Sequence, residues 1–161
     1  YPGGIYFEMA GHLVDLMIAL LGPPRKIHPC LGHHHLGKPG AFIDNGVALF
    51  EFDNAYGTIE VPALEIAPDS RRIEVFGTSG AAVIPHLGSG HLANNSYQPI
   101  EVFHTEEPKW ERLDLPASVL QIQDLREFAA VVRGEKPPEF SREHDLAVHK
   151  ALLQSSGMYP L

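Results

Sequence analysis

The segment at residues 4–21 constrains the fold most, because it has the pattern of one long apolar helix with a clear end. A Gly-Pro-Pro run at 22–24 follows it. Glycine suits the position after the last helical turn, and proline cannot continue a helix. Apolar residues lie almost all round the segment, which predicts a buried helix. Three ionisable residues interrupt it at spacings of four and three: Glu8, His12 and Asp15.

These three side chains form one narrow stripe, within roughly 60° around the helix. Residues at such spacings have Cβ atoms roughly 5–6 Å apart, so both carboxylates can lie near the imidazole of His12. A neighbouring carboxylate orients the ring and favours its protonated form, which suits a general acid or base. The same pattern is also typical of the solvated edge of a core helix. The residues alone leave both interpretations open.

The region from residue 25 to residue 115 has short β-rich runs separated by turns. Alternation over 47–52, a turn at Asp53-Asn54 and a second run at 57–61 predict a hairpin. The run 73–75 and the turn at 77–80 predict another. Connections this short predict a mostly antiparallel sheet. Further strands are predicted at 26–34, 82–85, 98–104 and 109–115.

Two helices are predicted in the last third of the chain. The Ser-Val-Leu-Gln run at 118–121 has the form of a capping box, and the helix continues to about Arg133. Its apolar stripe is expected to pack on a sheet face and consists of Ile122, Leu125, Ala129 and Val132. Ser141 is the predicted cap of the last helix, with acidic residues in its first turn. Its predicted buried positions include Ala147, Ala151 and Leu152.

The predicted fold class is therefore α+β. We expect an open, mostly antiparallel β-sheet with helices packed on one face, the other face being available for oligomerisation. The whole chain, 1–161, is interpreted as a single substrate-binding and oligomerisation domain. Because it starts in a loop-like run without an initiator methionine, we expect it to be a C-terminal fragment of a longer two-domain chain.

Composition excludes some function classes. Twenty acidic against twelve basic residues give a formal charge of −8, so we expect no nucleic-acid partner. The single cysteine cannot form an internal disulfide, and no signal peptide is visible, which favours a cytoplasmic location. The apolar helix is interrupted by charges, so no membrane association is expected.

The polar stripe also resembles a family signature. Gly3-Gly4, Glu8, His12 and Asp15 match the pattern Gly-Gly-x-x-x-Asp-x-x-x-His-x-x-Asp of the Gfo/Idh/MocA oxidoreductases, which opens their C-terminal domain. Later segments resemble the same domain in the same order, so the resemblance covers essentially the whole chain. They are the central hairpin "FEFDNAYGTIE", the strand-turn-strand "RRIEVFGTSGAAVI" and the closing helices "LQIQDLREFAAVVRGEKPPEFSREHDLAVHKALLQSS".

The resemblance implies an NAD(P)-dependent dehydrogenase that acts on a sugar, a polyol or a related hydroxy compound. It implies that His12 is the catalytic base and that Glu8 occupies the place of the family's catalytic aspartate, a departure that adds one methylene. Asp15 is expected to orient His12 or to make a helix contact. NAD or NADP would be bound by an N-terminal domain, so no cofactor is expected in this fragment, which alone is expected to be inactive.

Two other motifs have competing interpretations. The histidine run at 33–35 suggests a metal site, but successive strand residues point to opposite faces, so only His33 and His35 can converge. We therefore predict no metal and assign these two as substrate-binding or orienting residues at a polar strand end. Lys136 lies in a Glu-Lys-Pro tripeptide like the family's catalytic lysine motif, but that motif belongs to the nucleotide-binding half. A polar turn is predicted here instead.

Alternative functions remain open at this stage. The chain could be a non-redox ligand-binding or assembly domain, with Glu8 marking lost chemistry. It could also belong to a glycoside hydrolase of the same family that uses NAD transiently. The partners expected for the chain are a small carbohydrate-like substrate and further copies of itself. We expect a homo-oligomer through the open sheet face, since a half-apolar exposed sheet commonly becomes a subunit interface.

Overall fold

The computed structural model describes residues 2–34, 42–63, 72–85, 99–114 and 120–159. These residues form two compact units, and each is described by itself. Unit 1 comprises Tyr1–Leu64 and Glu139–Leu161, and unit 2 comprises Glu65–Pro138. In chain order the elements are α1 Gly4–Leu21, β1 Lys26–Gly32, β2 Asn45–Glu51, β3 Tyr56–Pro62, β4 Ile73–Gly77, β5 Gly80–Ile84, β6 Ile100–His104, β7 Lys109–Leu113, α2 Leu120–Val132 and α3 Arg142–Ser155.

Unit 1 contains the sheet β1-β2-β3, in which both neighbouring pairs are antiparallel. The β2–β3 hairpin closes where the amide of Phe52 donates to the carbonyl of Ala55, at 2.9 Å. One face of the sheet is apolar and buried under the helices. Its buried members are Ile27, Ala48, Phe50, Ile59 and Val61. The opposite face includes Thr58 and Glu60, which are exposed.

Helix α1 begins and ends at the predicted residues, and glycine determines both ends. Gly4 has a φ of +56°, and a Cβ there would overlap the carbonyl oxygen of Ile43, so only glycine fits. The amide of Ile5 donates to that same oxygen at 2.9 Å. Gly22 ends the helix with a φ of 78°, and its amide donates to Ile18. The first turn is thus fastened to the segment that leads into β2.

The prediction that α1 is buried all round was wrong in part. Tyr6, Ala10, Val14 and Ile18 are buried, but Leu20 is 60% exposed. The physical reason is that the sheet and α3 cover only part of the helix circumference. Length and composition alone would allow α1 to cross a membrane, despite its ionisable residues. In this structure its buried stripe packs in the core of unit 1.

Helix α3 begins as the sequence predicted. The hydroxyl of Ser141 accepts from the amide of His144 at 3.2 Å, and Glu143 and Asp145 lie in the first turn. This cap satisfies one of the first free amides of the helix. Ala151 and Leu152 are buried against α1 and the sheet, as predicted, and Ala147 is partly buried.

Unit 2 contains the antiparallel sheet β4-β5-β6-β7 and helix α2. A two-residue turn at Thr78-Ser79 joins β4 to β5, as predicted. The predicted capping serine, Ser118, lies outside the described residues. The apolar stripe of α2 was expected to be buried on a sheet face, but it is exposed. Leu125 and Val132 are each 68% exposed, so the amphipathic pattern predicted the helix but not its burial.

The α+β class and the antiparallel strands are confirmed. Within the described residues the strands form one sheet of three and one of four, where a single open sheet was predicted. In unit 1 the helices α1 and α3 pack against one face of the sheet, as predicted.

Tyr6 is the largest fully buried side chain of unit 1. Its hydroxyl has no hydrogen-bond partner in acceptable geometry among the described residues, although the hydroxyl of Ser155 lies beside it. Burial raises the pKa of the Tyr6 phenol above its ordinary value, and the contact with Ser155 acts weakly in the opposite direction. The folded chain therefore holds this proton more tightly than the unfolded chain does.

This raised pKa predicts alkaline sensitivity of unit 1. The free energy of unfolding is not reduced by Tyr6 below about pH 10, where the phenol is protonated in both the folded and the unfolded chain. It falls as pH rises from there towards the folded pKa, because the unfolded phenol ionises first. Tyr6→Phe should leave stability at neutral pH unchanged or higher, because no good hydrogen bond is lost, and should flatten the loss above pH 10. Urea denaturation between pH 7 and 11 measures both effects. Tyr56→Phe, at a residue 76% exposed, is the control; equal alkaline slopes for the two variants would contradict the prediction.

Candidate functional site

Helix α1 has three sides, and each has different surroundings. One side faces the sheet, where the side chain of Met17 lies against Gly57. A second side faces α3, where Leu152 approaches Gly11. The remaining side carries Glu8 and His12, and both are exposed. At about 100° per residue this polar side points roughly 150° away from the centre of the buried stripe.

The open side places an imidazole and a carboxylate together. Glu8 and His12 are one turn apart on a helix whose opposite side is fixed in the core. Neither side chain is buried, so water or a ligand can reach both. Leu16, one turn after His12, adds exposed apolar surface to this side. The arrangement can bind a polar group and move a proton next to an apolar wall.

Asp15 lies on the edge of the open side and bonds to α3. Its carboxylate is 2.6 Å from Nε2 of His144, an imidazole whose side chain is only 13% exposed. The ring of His144 also stacks on Phe140, with centroids 4.4 Å apart. Asp15 thus joins the two helices, which is the helix contact given above as one of its two expected roles.

The predicted histidine pair lies at the end of β1. Nδ1 of His33 donates to the carbonyl oxygen of Phe42 at 2.6 Å, and lies 3.6 Å from a carboxylate oxygen of the buried Asp44. The ring of His34 folds back over Gly32 instead. His35 lies outside the described residues.

The sequence also raised the questions of a metal site and of a catalytic lysine at Lys136. Among the residues that the structure describes, no group of three or more His, Cys, Asp or Glu side chains could hold a metal ion. Lys136 lies in the turn that follows α2, and its ammonium group pairs with Glu127 of that helix at 3.0 Å. The tripeptide at 135–137 is thus a turn within unit 2, as predicted.

Sequence reasoning missed His144 and Asp44. His144 follows a capping serine at helical spacing, and nothing local indicates a partner 129 residues away. Asp44 is 1% exposed, yet it lies in a short polar run, Asp44-Asn45-Gly46, that is typical of a surface turn. An available signal was the Gly-Gly pair at 3–4, since glycine permits the close approach of another segment, which here is Ile43 at Gly4.

The Asp15–His144 pair should couple α1 to α3. Because His144 is largely shielded from water, we expect a coupling free energy of about 0.5–1 kcal/mol, near the upper end for a pair with one exposed partner. A double-mutant cycle with Asp15→Asn and His144→Gln, read by urea denaturation, measures it. The same cycle on Arg25 and Asp53, 3.4 Å apart with both side chains exposed, should give a value near zero. Equal coupling in the two cycles would contradict this account.

Comparison with known proteins agrees with this architecture. The family model described as the GFO/IDH/MocA C-terminal domain matches residues 1–83, which include the whole polar stripe and the first sheet. No curated protein sequence matches the chain.

Several solved structures share the fold. A candidate NADPH-dependent oxidoreductase from Desulfitobacterium hafniense is 18% identical with a TM-score of 0.79, covering 97% of this chain and 46% of its own. A UDP-N-acetylglucosamine 3-dehydrogenase from Acidithiobacillus ferrooxidans is 17% identical with a TM-score of 0.76, and the match covers 96% of this chain and 46% of that protein. An oxidoreductase from Bacillus cereus is 14% identical with a TM-score of 0.74, and the match covers 98% of this chain and 49% of that protein.

The chain spans about half of the length of these solved structures. Its strand arrangement, its polar stripe on α1 and the family match over residues 1–83 agree with one another. The chain belongs to the Gfo/Idh/MocA family of oxidoreductases, as a C-terminal domain.

Proposed function

We propose that this chain is the substrate-binding and catalytic domain of an NAD(P)-dependent dehydrogenase of a sugar, a polyol or a related hydroxy compound. The observation that carries the proposal is the position of Glu8 and His12, one turn apart on the open side of a helix anchored in the core. His12 takes the proton from the substrate hydroxyl that is oxidised. Glu8 orients the imidazole or a substrate hydroxyl.

The exposure of these residues supports a role in a site completed by another domain. Exposed ionisable residues alone are ordinary on a helix surface. Here they are followed one turn later by Leu16, which is 36% exposed. Exposed apolar surface beside polar groups is typical of a surface that a ligand or another domain covers. Similar chains are about twice as long, which is consistent with a further domain.

The residues described here do not fit NAD or NADP. A dinucleotide site of the Rossmann type needs a parallel strand-helix-strand unit with a glycine-rich turn at the helix start. The two sheets are antiparallel, and no described strand leads through such a turn into a helix. The cofactor, which would accept the hydride, is therefore proposed to bind to a separate nucleotide-binding domain. The NADPH-dependent assignment of one structural relative favours this class of cofactor without selecting NADP over NAD.

A carbohydrate-like substrate is proposed from the chemistry of the open side and from one relative. Imidazole and carboxylate groups bind and deprotonate hydroxyl groups. The Acidithiobacillus relative acts on UDP-N-acetylglucosamine, so a sugar nucleotide belongs in any substrate panel. We further propose that the enzyme is a cytoplasmic homo-oligomer that associates through the exposed face of the unit 1 sheet, which carries Thr58 and Glu60.

His12→Asn in the full-length protein should lower kcat/KM by at least about 10²-fold, because the general base is lost. Binding of NAD(P) should not change, since the cofactor lies on another domain. Reduction of NAD+ and NADP+ at 340 nm, with glucose, glucitol, myo-inositol and UDP-N-acetylglucosamine as substrates, measures turnover. Isothermal titration measures cofactor binding. Glu8→Asp should retain more activity than Glu8→Gln, because it keeps the carboxylate.

The matched control is His149→Asn, an exposed histidine on α3 that lies outside the proposed site. It should retain full activity. Retained turnover in His12→Asn would overturn the catalytic assignment. Net sugar hydrolysis without net cofactor reduction would favour the NAD-dependent hydrolase alternative, and ligand binding without either reaction would favour a non-redox binding domain.

A further inference from the structure

A buried carboxylate, that of Asp44, organises the end of β1. Asp44 is 1% exposed. One of its oxygens accepts from the amide of His34 at 2.8 Å, and the other lies 3.6 Å from Nδ1 of His33. Its own amide donates to the carbonyl of Gly32 at 3.1 Å. Burial of a carboxylate is costly unless hydrogen bonds or opposite charge compensate it, so this position has a specific role.

The contacts of His33 place a hydrogen on Nδ1. A carbonyl oxygen can only accept, so the 2.6 Å contact with Phe42 requires that Nδ1 carries a hydrogen. Nδ1 is therefore occupied on the protein side, beside Asp44. The side chain of His33 is 24% exposed. Within the described residues, the contacts of this ring involve Nδ1 and not Nε2.

An imidazole held in this way has one available nitrogen with a defined direction. In the neutral ring with a hydrogen on Nδ1, Nε2 is a hydrogen-bond acceptor. A substrate hydroxyl is the natural donor to such a nitrogen.

This histidine lies near the start of the polar stripe. The segment that holds its ring, residues 42–44, also binds the first turn of α1, where Ile43 accepts from the amide of Ile5. Gly4 touches the same carbonyl. Glu8 is one turn further along α1 on the same side as Gly4. Residues 42–44 thus contact both the end of β1 and the start of α1, where the polar stripe begins.

We propose that His33 is a specificity-determining residue whose Nε2 accepts a hydrogen bond from a non-reacting hydroxyl of the substrate, and that Asp44 is the positioning residue that holds it. The proposal deepens the proposed function and rests on it for the identity of the substrate. Neither residue takes part in proton transfer at the reacting carbon.

The tautomer tests the geometry without any activity. A long-range ¹H–¹⁵N correlation spectrum of the full-length protein, assigned with His33→Gln, should show His33 as the neutral Nδ1–H form at pH 8. Most histidines in solution prefer the Nε2–H form, so the result is diagnostic. An Nε2–H ring at His33 would overturn the proposal whatever the enzyme does.

Kinetics test the role. His33→Gln should raise KM for the best substrate by about tenfold or more with kcat little changed, the signature of lost uniform binding. Asp44→Asn, which keeps an acceptor for the His34 amide, should raise KM in the same direction. The double variant should be no worse than His33→Gln alone, because Asp44 acts through His33. If Asp44 were purely structural, Asp44→Asn would lower the melting temperature without changing KM. In the double variant its effect would add to that of His33→Gln.

The matched control is His34→Gln, whose ring folds over Gly32 and should leave KM unchanged. An unchanged KM in His33→Gln, with an active wild-type enzyme, overturns this inference and leaves the proposed function intact. If the wild type reduces neither NAD+ nor NADP+ with any substrate in the panel, the proposed dehydrogenase function fails. In that event, shifts of the His33 resonances on addition of the same four compounds would support hydroxyl recognition, and their absence would overturn it.

Discussion

The fold of unit 1 depends on the way helix α1 packs along one stripe. Tyr6, Ala10, Val14 and Ile18 are buried against the sheet and α3. Burying four such side chains contributes several kcal/mol, at about 25 cal/mol per Å² of apolar surface removed from water. Because a helix is rigid, fixing that stripe also fixes the direction of the opposite side. Glu8 and His12 lie on that opposite side, so core packing determines where the proposed chemistry can occur.

Two carboxylates hold the surroundings of this helix in place at different points. Asp15 ties the middle of α1 to His144 at the start of α3, and Asp44 fastens the end of β1 close to the first helical turn. Asp15 has a hydrogen bond to an imidazole, whereas Asp44 accepts from the backbone amide of His34 and lies 3.6 Å from the imidazole of His33. The open side of α1 is therefore bordered by polar contacts as well as by apolar packing.

Capping and turn residues explain which parts of the fold were predictable. The bounds of α1 and the cap at Ser141 follow from glycine, proline and serine at defined positions, and the hairpins follow from short turns. The polar stripe was visible because its three residues share one helix. The partner of Asp15 was not, since contact between residues 129 apart depends on tertiary packing. The burial of α2 was wrongly predicted because an amphipathic pattern specifies a helix without specifying what covers it; Phe128 is 68% exposed.

The central claim is that the open side of α1 is the reaction surface of the complete enzyme. The most direct measurement is a crystal structure of the full-length protein with NAD(P)+ and its best substrate. The account predicts that the nicotinamide ring faces Glu8 and His12, with the substrate hydroxyl between them and the reacting atoms about 3–3.5 Å apart. A nicotinamide bound against another surface, with the side chain of His12 in bulk water, would contradict it.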